Sequence, residues 1–176
     1  TSPGHWRLIF CDAAPQYAAA RDSIDNFRVI AFKSGYDNTV RFATELAGQW
    51  RQDYRAIRDC GIVADPARRT VVLGFPPNRE GLGDATQADA DSSRAFNTWL
   101  VEEFVRGHPN LFAFPLFDRL AGADNWLRDE YELVEYPYDA HPNAYGCEVV
   151  GSELMAFLHT VAIKGGRPWK VTDHPH

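Results

Sequence analysis

Asp139 and His141 stand two residues apart in the segment Tyr138-Asp139-Ala140-His141-Pro142-Asn143-Ala144-Tyr145-Gly146, directly ahead of an amphipathic stretch. A carboxylate that fixes one tautomer of an imidazole turns that ring into a general base. This is the half of a nucleophilic hydrolase site that removes the proton from a serine hydroxyl. The same two residue types also describe an ordinary loop, with the aspartate capping a turn and the histidine at the surface.

A second block lies upstream. The apolar run Arg28-Val29-Ile30-Ala31-Phe32-Lys33 ends in Ser34-Gly35-Tyr36-Asp37-Asn38, and further on come Trp50-Arg51-Gln52-Asp53-Tyr54-Arg55-Ala56-Ile57 and Thr70-Val71-Val72-Leu73-Gly74-Phe75-Pro76-Pro77. In type and order these blocks resemble the SGNH (GDSL-type) hydrolases over residues 28–161. Asp139, His141 and Gly146 match the family's last block, ahead of its C-terminal helix. Residues 34–38 are similar to the Gly-x-Asn-Asp block after its third strand, and residues 50–57 and 70–77 to the following helix and fourth strand. The resemblance implies His141 as base, Asp139 as its orienter, and the Gly35 amide with the Asn38 side chain as oxyanion donors. Ser34, beside these blocks, is a weak candidate for the nucleophile and reads better as a strand-end hydrogen-bonding residue.

The chain departs from the family pattern twice. The family sets its aspartate three residues before the histidine, where Tyr138 stands, so Asp139 must reach the imidazole from two residues away. No Gly-Asp-Ser block precedes the rest. Residues 7–14, Arg7-Leu8-Ile9-Phe10-Cys11-Asp12-Ala13-Ala14, read either as a first strand and elbow with Cys11-Asp12-Ala13 in place of the nucleophile block, or as an edge strand of a chain that starts after that block. The start at Thr1-Ser2-Pro3-Gly4 without an initiator methionine fits the second reading, which calls for an N-terminal companion segment.

Composition sets the bounds. A chain of 176 residues that is 45% apolar suffices for one core, hence a single domain over 1–176. A net charge of −6 argues against a phosphate-backbone binder and so against nucleic acid as partner. Arg51, Arg55 and Arg58 recur along a helical stretch, but Asp53 and Asp59 are interleaved and describe a solvated face. No apolar run is long enough to span a membrane and no signal peptide is visible, leaving secreted and cytoplasmic locations open. Cys11, Cys60 and Cys147 lack metal-site spacing, and buried free thiols are the default for the two in apolar or helical context.

Short apolar runs alternate with longer amphipathic ones. Residues 28–33, 70–75 and 111–116 read as strands buried on both faces, the signature of a parallel sheet. Residues 15–26, 39–60, 91–106 and 148–162 read as helices, with Asn38 at one start and Gly61 and Gly107 as stops. The alternation predicts an α/β fold: a three-layer α/β/α sandwich around a mainly parallel, doubly wound, flavodoxin-like sheet, with ligands at its carboxyl edge.

Two functions compete. One is a serine esterase or acetylhydrolase acting on a small-molecule or carbohydrate ester, requiring no cofactor and no metal, with its nucleophile outside the visible blocks. The other is a catalytically inactive binding module that keeps the fold. Trp126, Tyr131, Tyr136, Tyr138 and Tyr145 surround the Asp-His loop and suit either the stacking of a sugar ring or the anchoring of the loop. The loop 76–84 is either a plain connection or part of a substrate wall.

Overall fold

The apolar runs pair as parallel strands. The computed structural model describes residues 2–12, 14–34, 44–136 and 139–163. Within them β1 (Val29–Lys33), β2 (Arg69–Leu73) and β3 (Leu111–Phe114) form a three-stranded sheet in the order β1-β2-β3. The register runs from Val29 beside Arg69 to Lys33 beside Leu73, and from Thr70 beside Leu111 to Leu73 beside Phe114. Spatial order follows chain order, so the described strands contain no point at which the winding reverses.

Alternation along each strand sends side chains to two separate cores. Phe32, Val72 and Ala113 face one side, where they meet Trp50, Tyr54 and Ile57 of α3 (Thr44–Ile57) and Phe96 and Trp99 of α4 (Gln87–Trp99). Val71, Phe112 and Phe114 face the other, against Leu116 and Leu120 of α5 (Leu116–Leu120) and Phe157 of α6 (Ala144–Phe157). Helices cover both faces, which is why the strand sequences are apolar throughout rather than alternating.

Several boundaries move for identifiable reasons. The strand reading of 70–75 yields at Gly74, and that of 111–116 yields at Pro115, which precedes α5. α4 starts at Gln87 because Thr86 accepts the Asp89 N–H while the Asp89 carboxylate accepts the Thr86 N–H, a reciprocal cap. α6 starts at Ala144 because the Asn143 side chain accepts the Gly146 N–H at 3.0 Å. Gly61 does not stop its helix: α3 runs on through a π-helical turn, Arg58–Ile62. The glycine serves close approach, since a Cβ there would lie 2.8 Å from Phe10 Cβ.

Both strand readings of residues 7–10 are corrected, because they lie in a helix, α1 (Pro3–Phe10). Pro3 fits the first helical turn, and Trp6 and Phe10, one turn apart, lay their rings on Phe32 with centroids 5.0 and 5.3 Å away. A 3₁₀ turn, Pro15–Tyr17, then leads into α2 (Ala18–Asp25) within the 15–26 stretch. The thiol expectation is corrected as well. Cys11 and Cys60 form a disulfide that ties the end of α1 to the π-helical turn, with Cα atoms 5.5 Å apart, and Cys147 is an exposed free thiol.

Candidate functional site

Parallel strands bring their carboxyl ends to one edge, so Ser34, the Gly74 to Asn78 segment and Pro115 lie along the same rim. Residues 127–133 are fastened to that rim from the β2 side. The Asn78 carbonyl accepts the Leu127 N–H at 2.7 Å. Arg79 forms an ion pair with Glu132 at 2.8 Å and donates to the Leu133 carbonyl at 3.3 Å. Partial burial raises the Glu132 pKa, and the Arg79 charge opposes that shift. The loop after β2 is therefore an anchor.

Asn143 does two jobs. Besides capping α6, its side-chain amide donates to the carbonyls of Glu130 and Glu132 at 2.9 and 3.1 Å, and its backbone N–H donates to Tyr131 at 2.7 Å. The 130–132 segment is thus held from two sides, by Arg79 and by Asn143, immediately beside the Asp-His loop.

Asp139 and His141 come together in that loop. One carboxylate oxygen, Asp139 Oδ1, accepts the His141 backbone N–H at 2.8 Å and lies 2.5 Å from His141 Nδ1. The two-residue spacing works because the backbone contact closes an Asx turn, which folds the imidazole back onto the carboxylate. The bond from the His141 N–H, reinforced by the contact with the ring, lowers the Asp139 pKa below its ordinary value. Both side chains are open to solvent, His141 at 64% and Asp139 at 40% exposure.

The other predicted residues are placed differently. Gly35 and Asn38 lie outside the described residues, as does Tyr138. Ser34 is 1% exposed, and its hydroxyl pairs with the Tyr54 phenol at 2.9 Å. Burial pushes the Tyr54 pKa up to about 12, with the Ser34 contacts acting in the opposite sense. Among the aromatics, Trp126 and Tyr131 are buried, and the Trp126 indole donates to Gln87 Oε1 at 3.0 Å, an anchoring role. Tyr136 and Tyr145 remain exposed, with the Tyr145 ring 5.7 Å from that of Tyr131.

Two features of the rim escaped the sequence reading. Asn97, 2% exposed, donates to the Ser93 carbonyl at 2.9 Å and turns Oδ1 toward Gly74, where any Cβ would collide with it. Arg94 bonds to Asn125, to Asp118 at 2.6 Å and to the Gly122 carbonyl at 3.1 Å, fixing the turn after α5 to α4. A buried Asn and a half-buried Arg in an amphipathic helix carry no local sign of their partners. The capping role of Asn143 was open to reading, since it directly precedes a helix.

Fold and rim define a mixed α/β protein with a parallel sheet. No protein family, curated protein or solved structure matches the chain. Among the described residues no cluster of His, Cys, Asp and Glu is arranged to hold a metal ion, and no helix is long and apolar enough to cross a membrane.

Proposed function

We propose that this chain supplies the general base and its orienting carboxylate in an SGNH-type serine ester hydrolase. The observation that carries this reading is the single Asp139 oxygen held against both the backbone N–H and Nδ1 of His141. With Nδ1 turned to the carboxylate, Nε2 is the nitrogen through which the ring takes a proton. The strand order supports the same reading: in a doubly wound 2-1-3-4-5 sheet, strands three to five follow one another in space as in sequence, as β1, β2 and β3 do.

In the proposed reaction a serine hydroxyl attacks the ester carbonyl while His141 Nε2 accepts its proton. The Gly35 amide and Asn38 side chain receive the developing oxyanion, and His141 then returns the proton to the departing alcohol. Water repeats the sequence on the acyl-enzyme. Asp139 holds the tautomer and stabilises the imidazolium. The buried pairing of Ser34 with Tyr54 favours a nucleophile on an N-terminal companion segment, and the exposed Tyr136 and Tyr145 favour carbohydrate esters. The solvent exposure of His141 favours the second reading, a binding module in which Asp139 simply closes the turn.

Fluorophosphonate labelling of the protein isolated from its native source, followed by peptide mapping, separates the two. An adduct on a serine other than Ser34, formed far more slowly in His141→Ala, is expected. No adduct on folded protein would leave the binding module.

A further inference from the structure

β1 stands at the end of the described sheet, and its backbone groups divide between two directions. The Arg28 carbonyl accepts the Arg69 N–H at 2.8 Å, so along a parallel ladder Ile30 and Phe32 also turn their amides toward β2. Those of Val29, Ala31 and Lys33 point the other way. The Lys33 carbonyl agrees, for it accepts the Trp6 indole N–H at 3.0 Å. Trp6 therefore closes one end of the outer edge. Among the described residues, the outward groups of Val29 and Ala31 have no strand beside them.

Lys33 and the Trp6 bond guard one end of this edge, but its middle is unguarded. Natural edge strands carry prolines, inward charges or bulges that prevent pairing, whereas Val29-Ile30-Ala31-Phe32 is apolar and its ladder with β2 is uninterrupted. A cavity of about 270 Å³ opens alongside, lined by β1 together with Trp6, Phe10, Ile24 and Phe27. Phe27 is 61% exposed. At the open end Arg28 is exposed and takes part in no ion pair among the described residues.

We propose that the outer edge of β1 is a docking site for an extended peptide, which adds to the sheet as a strand. The outward amides of Val29 and Ala31, unpaired among the described residues, select a strand over a helix, because only an extended backbone presents donors and acceptors at matching intervals. The cavity takes an apolar side chain from that strand, the Trp6 bond to Lys33 sets where pairing stops, and Arg28 favours an acidic residue at the other end. The proposal and the hydrolase reading compete for this edge, because in a 2-1-3-4-5 sheet the third strand lies beside the first, which the companion segment would supply.

The test is selection of a phage-displayed random heptapeptide library against the purified protein, with affinities of the selected peptides measured by calorimetry. Expected sequences alternate apolar and polar residues and carry an acidic residue at one end. Ala31→Pro removes an outward N–H without touching the ladder to β2 and should weaken binding at least about tenfold. Backbone N-methylation of the peptide at the paired positions should do the same while leaving the protein unaltered. Arg28→Glu should move selection from acidic to basic ends. The proposal is overturned if no sequence is enriched, or if the selected peptides bind Ala31→Pro and tolerate N-methylation unchanged. A dimer that Ala31→Pro dissociates, with no peptide selected, would give the edge to a second copy instead.

Discussion

Asp139 Oδ1 lies 2.8 Å from the backbone nitrogen of His141 and 2.5 Å from its Nδ1, so one oxygen fixes both the turn and the ring. The carboxylate form makes both contacts, and the folded pKa is accordingly depressed. Whatever stability the turn gains is present above the ordinary Asp pKa and lost as pH falls through the lower folded value. A carboxyl-carbon NMR titration should give Asp139 a midpoint below the ordinary 3.8. In His141→Ala the backbone contact persists and the ring contact goes, so the midpoint should move only part of the way back. A midpoint at or above the ordinary value in the wild type would contradict the turn geometry.

Tyr54 offers the opposite sign. Its phenol is buried and its pKa pushed up from 10.0 to about 12. Between those values the unfolded chain ionises and the folded one does not, so stability is full below the unfolded pKa and declines as pH rises toward the folded one. Tyr54→Phe should flatten that alkaline decline. It also strands the Ser34 hydroxyl in the core, at a cost of about 1–3 kcal/mol, whereas removing both partners with Ser34→Ala should recover part of the loss. Urea unfolding checks each variant, and a double variant no better than Tyr54→Phe would argue that the 2.9 Å contact contributes little.

The Cys11–Cys60 bridge closes a loop of 49 residues in sequence separation. Loop-closure entropy predicts about 4 kcal/mol of stabilisation from such a crosslink. Cys11→Ser with Cys60→Ser should therefore lower the urea midpoint clearly, and reductant should do so in the wild type alone. An unchanged midpoint would mean that α1 is held by Trp6 and Phe10 without help from the bridge.

Gly74 and Asn97 form a tight fit at the carboxyl end of β2. Gly74→Ala should cost about 1–3 kcal/mol through forced displacement of the Asn97 amide. Combining it with Asn97→Ala should restore part of that loss, a coupling visible in a double-mutant cycle. Strict additivity would contradict the contact.

Much of this architecture was legible from local pattern. The runs containing Val71, Val72, Phe112 and Phe114 are apolar on both faces because helices pack on both, and Trp50, Tyr54 and Ile57 repeat at helical spacing because one helix face is buried. The Arg7 to Phe10 segment was misread because four consecutive residues do not separate period two from period 3.6; Pro3 and the Trp6/Phe10 pair decide for helix. The disulfide was hidden because its cysteines stand far apart in sequence and meet only when α1 crosses Gly61. In the loop before α6, the chain pattern marked Asp139 and His141, while Arg79 and Asn143, which fasten the neighbouring segment, reveal their roles only through tertiary contacts.

The hydrolase reading stands or falls most directly on initial rates of 4-nitrophenyl acetate hydrolysis by the native-source protein and its His141→Ala variant, each checked for an unchanged thermal midpoint. His141→Ala should lose at least about a thousandfold in kcat. Equal rates in the two proteins would remove His141 from the chemistry and leave Asp139 as a turn residue.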